Sequence, residues 1–340
     1  MWELRRRTRG ANDYSNWVRT HDTLTDEQRA AIVKRVEAMA SAPRFSVLMP
    51  TYDPDPVWLR AAIESVRAQL YPHWELCIAD DASPSQEVRD ILRQYADSDS
   101  RIKVVFRPRN GHISEASNSA LQMAGAPWIA LMDHDDLLTE HALFWMADCI
   151  VAHPDARLLY SDEDKIDEKG VRSDPYFKPD WNVDLFRSQN MFSHLGVLAT
   201  DLVRAVGGFR KGMEGSQDWD LVFRCIEQLS PEQVRHVPRI LYHWRIHAAS
   251  TARSMNAKPY AAVAGEKALI DHFARTGVEA TAEYVGIGYR VHYALPKEPP
   301  LVSLVIPTRN ALDLVRQCVE SIFRKTTYPH YEIIIVDNNS

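Results

Sequence analysis

Asp133, His134, Asp135 and Asp136 put three carboxyl groups and an imidazole in four consecutive positions, directly after the apolar run "IALM" (129–132). Carboxylates this close repel one another and raise each other's pKa unless a cation intervenes. Hard cations such as Mg²⁺ and Mn²⁺ take oxygen ligands, with one or two carboxylates alongside substrate phosphates. In extended backbone, Asp133 and Asp135 point the same way and His134 points to the other face. Asp136 is placed to start the next turn and cap a helix through "LLTEHALFWMADCI". A solvated turn accounts for the pair alone equally well, because Asp is common in turns.

The elements around these residues must supply the position. "RFSVLMP" (44–50), "WELCIADDAS" (74–83), "IKVVFRP" (102–108) and "PWIALMD" (127–133) read as strands. They alternate with helical patterns at 58–70, 87–97 and 114–124. That alternation predicts an α/β fold with a doubly wound, mostly parallel sheet and flanking helices. Ligands of such sheets lie outside the carboxyl ends of the strands. Pro50-Thr51-Tyr52-Asp53, Asp80-Asp81 and the Asp133–Asp136 cluster all fall there, so the acids should line one sheet edge. Upstream, "TDEQRAAIVKRVEAMA" (25–40) predicts a helix capped by Thr25 with a capping-box Gln28. Its buried stripe is expected to be Ile32, Val33, Val36 and Met39.

Composition narrows the class. The 340 residues carry a net charge of −6, which gives no reason to expect nucleic-acid binding. Cys77, Cys149, Cys225 and Cys318 form no CxxC pair, so they read as reduced thiols rather than a zinc site or disulfide framework. No apolar run approaches a membrane span, and no h-region follows the basic "MWELRRRTRG". Arg5, Arg6, Arg7 and Arg9 beside Trp2 fit peripheral contact with an anionic membrane, although a solvated terminus is the simpler reading. A cytoplasmic chain, at most touching the inner face of the membrane, is expected.

An internal repeat closes the chain. After the linker "LPKEPP" (295–300), the segment from 301 echoes the one from 44. Pro307 matches Pro50 and Asp337 matches Asp80, both 257 residues on (307 minus 50; 337 minus 80). A βαβ fragment cannot bury both faces of its sheet. The expected organisation is therefore an N-terminal helical extension (1–43), a main domain (44–294), the linker, and the truncated start of a second like domain (301–340), with further domains of a longer parent chain as partners.

"MPTYDPDP", "CIADDASPS", "RNGHISEASNSAL", "LMDHDDLL" and "GSQDWDLVFR" occur in this order at or beside strand-to-helix junctions. Together they resemble family 2 glycosyltransferases, which have the GT-A fold, over about residues 44–250 and again from 301. "YSDEDKID", "FKPDWN" and "YHWRIHAAST" further resemble a bacterial subgroup that builds surface polysaccharides such as O-antigens. The resemblance implies a nucleotide-diphosphate sugar donor (UDP- or dTDP-linked), a glycan or lipid-linked glycan acceptor, a divalent metal (Mn²⁺ or Mg²⁺), and inversion at the anomeric carbon.

Residue by residue it implies that Pro50, Thr51 and Tyr52 line the nucleoside pocket. Asp81 accepts from the base with Asp80 beside it, and Asn118 lies near the nucleotide. Asp135 is the direct metal ligand, with Asp133 closer to the ribose or a metal-bound water. Asp218 is the general base, although the family usually reads Glu-Asp where this chain has Gln217-Asp218. His243, Arg245 and His247 hold the pyrophosphate, with His247 a third metal ligand, or these residues form a structural network or lid. Trp181, Phe186, Asn190, Phe192 and His194 fall where an acceptor sugar would bind, or are packing residues. "PTYDPDP" has no glycine after the first strand, which excludes a dinucleotide dehydrogenase, a P-loop, and the glycine-rich loop of a nucleotidyltransferase. The rival that remains is a degenerate nucleotide-sugar-binding scaffold in a tandem enzyme.

Overall fold

Two parallel strands, β1 (Phe45–Thr51) and β2 (Trp74–Asp80), are buried along almost their whole length. Their side chains alternate between two cores. Phe45, Val47 and Met49 with Leu76 and Ile78 face one, and Leu48 with Cys77 and Ala79 faces the other. A strand buried on both faces needs helices on both, and the chain supplies them. A computed structural model describes residues 13–246 and 259–340.

Residues 13–21 form helix α1. Helix α2 (Asp26–Glu37) carries the expected capping box between Thr25 and Gln28. Ile32 and Val36 are buried as expected and Met39 packs at the core edge, but Val33 is 40% exposed. It lies on the flank of the stripe, where the helix turns back to solvent.

Helix α3 (Pro56–Arg67) starts on an Asp55 cap with proline in its first turn. Helix α4 (Gln86–Ser98) starts on Ser85. Strand β3 (Ile102–Phe106) and helix α5 (His112–Met123) lead to β4 (Trp128–Leu131). Then come β5 (Leu137–Leu138), α6 (Ala142–Ala152), β6 (Leu158–Ile166), β7 (Arg172–Tyr176), α7 (Val183–Ser188), β8 (Gly196–Ala199) and α8 (Thr200–Ala205). Helix α9 (Gln217–Ile226), β9 (Val234–Arg245), α10 (Pro259–Thr276) and the hairpin β10 (Ala280–Tyr284) with β11 (Tyr289–Tyr293) follow.

The main sheet runs β3-β2-β1-β4-β8-β6-β9-β5, with β7 beside β6. β3, β2, β1 and β4 are parallel, as are β6 and β9, while β8 is antiparallel to both its neighbours. Residues 132–136 alone connect β4 to β5, although β8, β6 and β9 lie between those strands. Across a flat sheet that is roughly 19 Å at the usual strand spacing, close to the full reach of a five-residue link. The link contains a turn, so the sheet must curl. The acid cluster is that link.

The N-terminal extension docks through a buried charge network. Tyr14 Oη donates to Asp164 Oδ2 at 2.6 Å, and Arg172 Nε reaches the same oxygen at 2.6 Å. Arg172 also pairs with Asp22, and His243 Nδ1 lies 2.5 Å from Asp164 Oδ1. Burial alone would raise the Asp164 carboxyl, but His243, Arg172 and Tyr14 together hold it below its ordinary value.

The chain divides into two compact units, Met1–Val291 and His292–Ser340. The second contains β12 (Val302–Thr308), α11 (Leu312–Lys325) and β13 (Tyr331–Asp337). Its ladder runs from Val302–Tyr331 to Thr308–Asp337, the register of Phe45–Trp74 to Thr51–Asp80. Ser303 donates to Glu332 at 2.7 Å as Ser46 donates to Glu75 at 2.6 Å. Asn310 repeats the positive φ of Asp53, at 50° and 44°. Its N–H bonds Ser340 Oγ as that of Asp53 bonds Ser83 Oγ, both at 2.8 Å.

Asp164→Asn should destabilise the first unit by about 3 kcal/mol, because it leaves a buried guanidinium short of its partner. Urea unfolding reads this directly. A depressed folded-state pKa contributes stability above the unfolded value, near pH 4, that is lost as pH falls through the folded value. The wild type should therefore lose stability more steeply than the variant below about pH 4.

Candidate active site

β4 ends at Leu131, and Met132 continues its pairing through an N–H bond to Leu48 O at 3.1 Å. The backbone then turns at His134 and Asp135 instead of staying extended. That turn changes which acids share a face. Asp133, Asp136 and His194 converge, each with a potential ligand atom within 4.8 Å of the others. Among the described residues this is the only such convergence of three groups, and it does not include Asp135. Asp136 caps no helix: α6 begins later, with His141 at its N-cap position. The Asp136 carboxylate is buried. It accepts from Tyr242 Oη at 2.6 Å and from the Arg245 backbone N–H at 2.7 Å.

Tyr242 Oη in turn accepts from the Asp133 N–H at 3.1 Å, and Arg245 Nε donates to the Asp135 carbonyl at 2.6 Å. The end of β9 therefore holds the whole turn. His134 contacts the Pro50 carbonyl at 3.2 Å and is not among the three converging groups.

Burial raises the Asp133 carboxyl, His194 opposes this, and Asp135 adds to it. Burial raises Asp136 well above the ordinary range, with Asp135 and Asp133 pushing the same way. His194 stacks on Tyr242 with ring centroids 4.3 Å apart. Its Nδ1 is buried and has no hydrogen-bond partner. A cation beside Asp133 and Asp136 would relieve both conditions, because it lowers carboxyl pKa values and accepts an imidazole lone pair. The donor set fits a divalent metal.

A cavity of about 930 Å³ is lined by Asp133 and also by Asp218, in the first turn of α9. Gly215 (φ 87°) makes the bend before this helix, and a Cβ there would meet Ala261 at 2.7 Å. Gln217 Oε1 accepts the Gly215 N–H at 2.7 Å. A glutamate at 217 would accept the same bond, which explains how glutamine serves here. Asn190 Nδ2 donates to Asp218 Oδ2 at 2.7 Å, and Asn190 Oδ1 accepts the Ser193 N–H at 3.2 Å.

That loop is pinned from below. Lys178 Nζ is buried and donates to Glu163 at 3.0 Å, to Phe192 O at 3.2 Å and to His194 O at 2.6 Å. Glu163 also accepts the His194 N–H at 2.9 Å. Burial lowers the Lys178 pKa, and Glu163 opposes the shift.

The other expected residues divide. Pro50 lines the large cavity, Thr51 is buried behind it, and Tyr52 is half exposed. Asp80 lies in the core and accepts from Ser83 N–H. Asp81 is ion-paired with Arg107 and accepts the Gly111 N–H at 3.0 Å. Asn118 commits both ends of its amide to Phe209, at 2.8 and 2.9 Å, and so ties the 207–209 turn to α5. His243 faces Asp164, and Arg245 faces the acid turn; neither lines the large cavity. Asn190 and His194 line it, whereas Trp181 lines a second, smaller one. Phe186 and Phe192 are core residues. His247 and the Arg5–Arg9 cluster lie outside the described residues. Sequence reasoning passed over Glu163, Lys178 and Tyr242, although it marked the segments that carry them.

The sequence pattern of glycosyl transferase family 2 matches residues 46–202 and again 303–340. The chain belongs to that family. It is 49% identical over 92% of its length to uncharacterized protein y4gI of Sinorhizobium fredii. It is 35% identical over 96% of its length to O-antigen biosynthesis protein RfbC of Myxococcus xanthus. It spans only 35% and 25% of those two proteins. Among solved structures, S. aureus TarS 1–349 in complex with UDP-GlcNAc superposes with a TM-score of 0.52 at 20% identity, over 62% of this chain and 61% of that one. The likeness supports the GT-A fold, and the family makes this a glycosyltransferase domain. No helix of the described residues is long and apolar enough to cross a membrane.

Tyr242→Phe should cost about 1–2 kcal/mol of stability by leaving the buried Asp136 oxygen without its donor. Lys178→Met should cost about 3 kcal/mol or more by leaving Glu163 charged and alone. Adding Glu163→Gln to Lys178→Met should recover part of that loss. A double-mutant cycle by chemical denaturation measures both.

Proposed function

We propose that this domain transfers a sugar from a nucleotide-diphosphate donor, UDP- or dTDP-linked, to a hydroxyl of a growing bacterial surface glycan, with inversion. The observation that carries the reading is one cavity lined by two chemically distinct sets of groups. Asp133 and His194, which converge with Asp136, are one set, and Asp218 with its partner Asn190 is the other. The name of the Myxococcus relative, an O-antigen biosynthesis protein, supports the glycan acceptor. The bound UDP-GlcNAc of the TarS structure agrees with a nucleotide-sugar donor.

The leaving group is a nucleoside diphosphate, whose developing negative charge needs neutralising more than it needs a proton. A divalent metal, Mn²⁺ or Mg²⁺, held by Asp133, Asp136 and His194 would supply that Lewis acidity. Carboxylate oxygens carry more than one lone pair, so the Tyr242 and Arg245 bonds leave Asp136 able to take part. Asp135 lies in the same turn and is the competing ligand.

Asp218 takes the proton from the acceptor hydroxyl. The acceptor oxygen then forms its bond to the anomeric carbon as the bond to the diphosphate oxygen breaks, and the electron pair leaves with the diphosphate. Attack from the side opposite the leaving group inverts the centre. One base on the acceptor side is sufficient for this route, whereas retention through a covalent intermediate needs a nucleophile as well. Asn190 fixes the base by its 2.7 Å bond and is itself oriented by the Ser193 N–H. Trp244, beside His194 on the cavity wall, helps exclude water.

Asp218→Asn should abolish sugar transfer while nucleotide binding survives; full activity in this variant sinks the base assignment. A thermal-shift panel of nucleotide sugars with Mn²⁺ should rank the donors, because binding to the folded state raises the melting point. Calorimetry with the preferred donor should show divalent-cation dependence, and its absence refutes the metal reading. In the same titration, loss of metal affinity in His194→Ala but not Asp135→Ala selects the convergent set over the one expected from sequence.

A further inference from the structure

Trp181 was expected beside the acceptor, and the structure assigns it elsewhere. It lines a separate cavity of about 350 Å³ that shares no lining residue with the large one. This cavity lies where the start of β9 meets the end of α6 and the "PDW" turn (179–181). We propose that it is a second saccharide-binding site, which takes a neutral hexopyranose unit of a glycan.

Two other ligand classes fit poorly. A divalent cation needs converging donors, and among the described residues the only three-ligand convergence is at Asp133, Asp136 and His194. An anion would meet Arg235, but Asp180 and Glu232 line the same cavity and repel it. What remains is a ligand that both donates and accepts hydrogen bonds and also has an apolar face. A sugar ring has these properties.

The site offers groups for each. Trp181, Pro231 and Val234 present apolar surface, and an indole face suits the C–H side of a pyranose. Trp181 is seated against Phe186 at 5.0 Å, so its ring is held in place. The exposed Asp180 carboxylate is oriented by His236 Nδ1 at 3.4 Å and keeps lone pairs to accept from a ligand hydroxyl. His236 is fixed by Asp162 at 2.8 Å and by stacking on Tyr160 at 4.9 Å. Arg235 lines the same cavity, and its guanidinium supplies the donors. The volume is at the small end of ligand pockets, about 300–1,000 Å³, and suits one or two rings. That the bound sugar belongs to the acceptor glycan rests on the transfer reading above; that the cavity binds a sugar does not.

The test is saturation-transfer NMR on the full chain, without nucleotide. The probes are the methyl pyranosides of glucose, galactose, mannose, rhamnose and N-acetylglucosamine, with their disaccharides. At least one should receive saturation from the wild type. Asp180→Ala, an exposed change that spares the fold, should weaken that probe by about tenfold, the loss of one hydrogen bond to a charged group. Trp181→Ala should remove the signal, and Asp218→Asn should keep it. No signal from any probe overturns the site, as does a signal that survives both Asp180→Ala and Trp181→Ala. A signal lost equally in Asp218→Asn places the sugar in the large cavity and also overturns it. A chain that binds through Trp181 yet transfers no sugar refutes the transfer reading alone. A chain that transfers but shows no Trp181-dependent binding refutes this site alone.

Discussion

The buried carboxylate of Asp136 holds the site together. It accepts from a side chain and a backbone amide of β9, a strand separated from β4 by β8 and β6 in the sheet order. These two bonds close the curl of the sheet. They also set the height at which Asp133 emerges, because the Tyr242 hydroxyl that donates to Asp136 accepts from the Asp133 amide. Burial and the neighbouring acids push the Asp136 pKa well above the ordinary range, the two donors oppose this, and without them the buried group would be more expensive still. The closure therefore has few alternatives.

The same economy governs the loop that carries Asn190 and His194. Lys178 is wholly buried, yet each direction it points in ends on an oxygen: Glu163 and the carbonyls of Phe192 and His194. A lysine so placed fixes backbone rather than ligand. The loop it fixes carries Asn190 toward Asp218 and His194 toward Asp133. One buried ion pair thus orients the partners of both Asp218 and Asp133. The N-terminal extension adds a brace behind β9, since Asp164 binds Tyr14, Arg172 and the His243 that precedes Trp244.

The repeat in the second unit shows how far local sequence dictates geometry. Strand register, the Ser–Glu bond at the strand start and the left-handed residue after the first strand recur where the sequence recurs. Burial does not recur. Val305 and Ile335 are 60% and 50% exposed, while their counterparts Leu48 and Ile78 are buried. Backbone form follows from nearest neighbours in the chain, and burial follows from what packs against it.

By itself the sequence determined the alternation of strands and helices over residues 44–133, the capping box at Thr25, the repeat, and the placement of acids at the ends of β1, β2 and β4. Those features are written in short-range patterns of period two and 3.6, in cap residues and in motif order, so they are legible without the fold. Only the tertiary structure decided which acids meet. The extended backbone assumed after Leu131 is a turn, and with it Asp136 rather than Asp135 converges with Asp133 and His194. It also decided that His194 joins them, that His243 faces inward to Asp164, and that Trp181 belongs to another cavity. β7 escaped the sequence reading because it is an edge strand with no fully buried residue. The physical reason is common to all of these. Convergence of side chains distant in sequence depends on how the sheet curls, and no local window of residues contains that information.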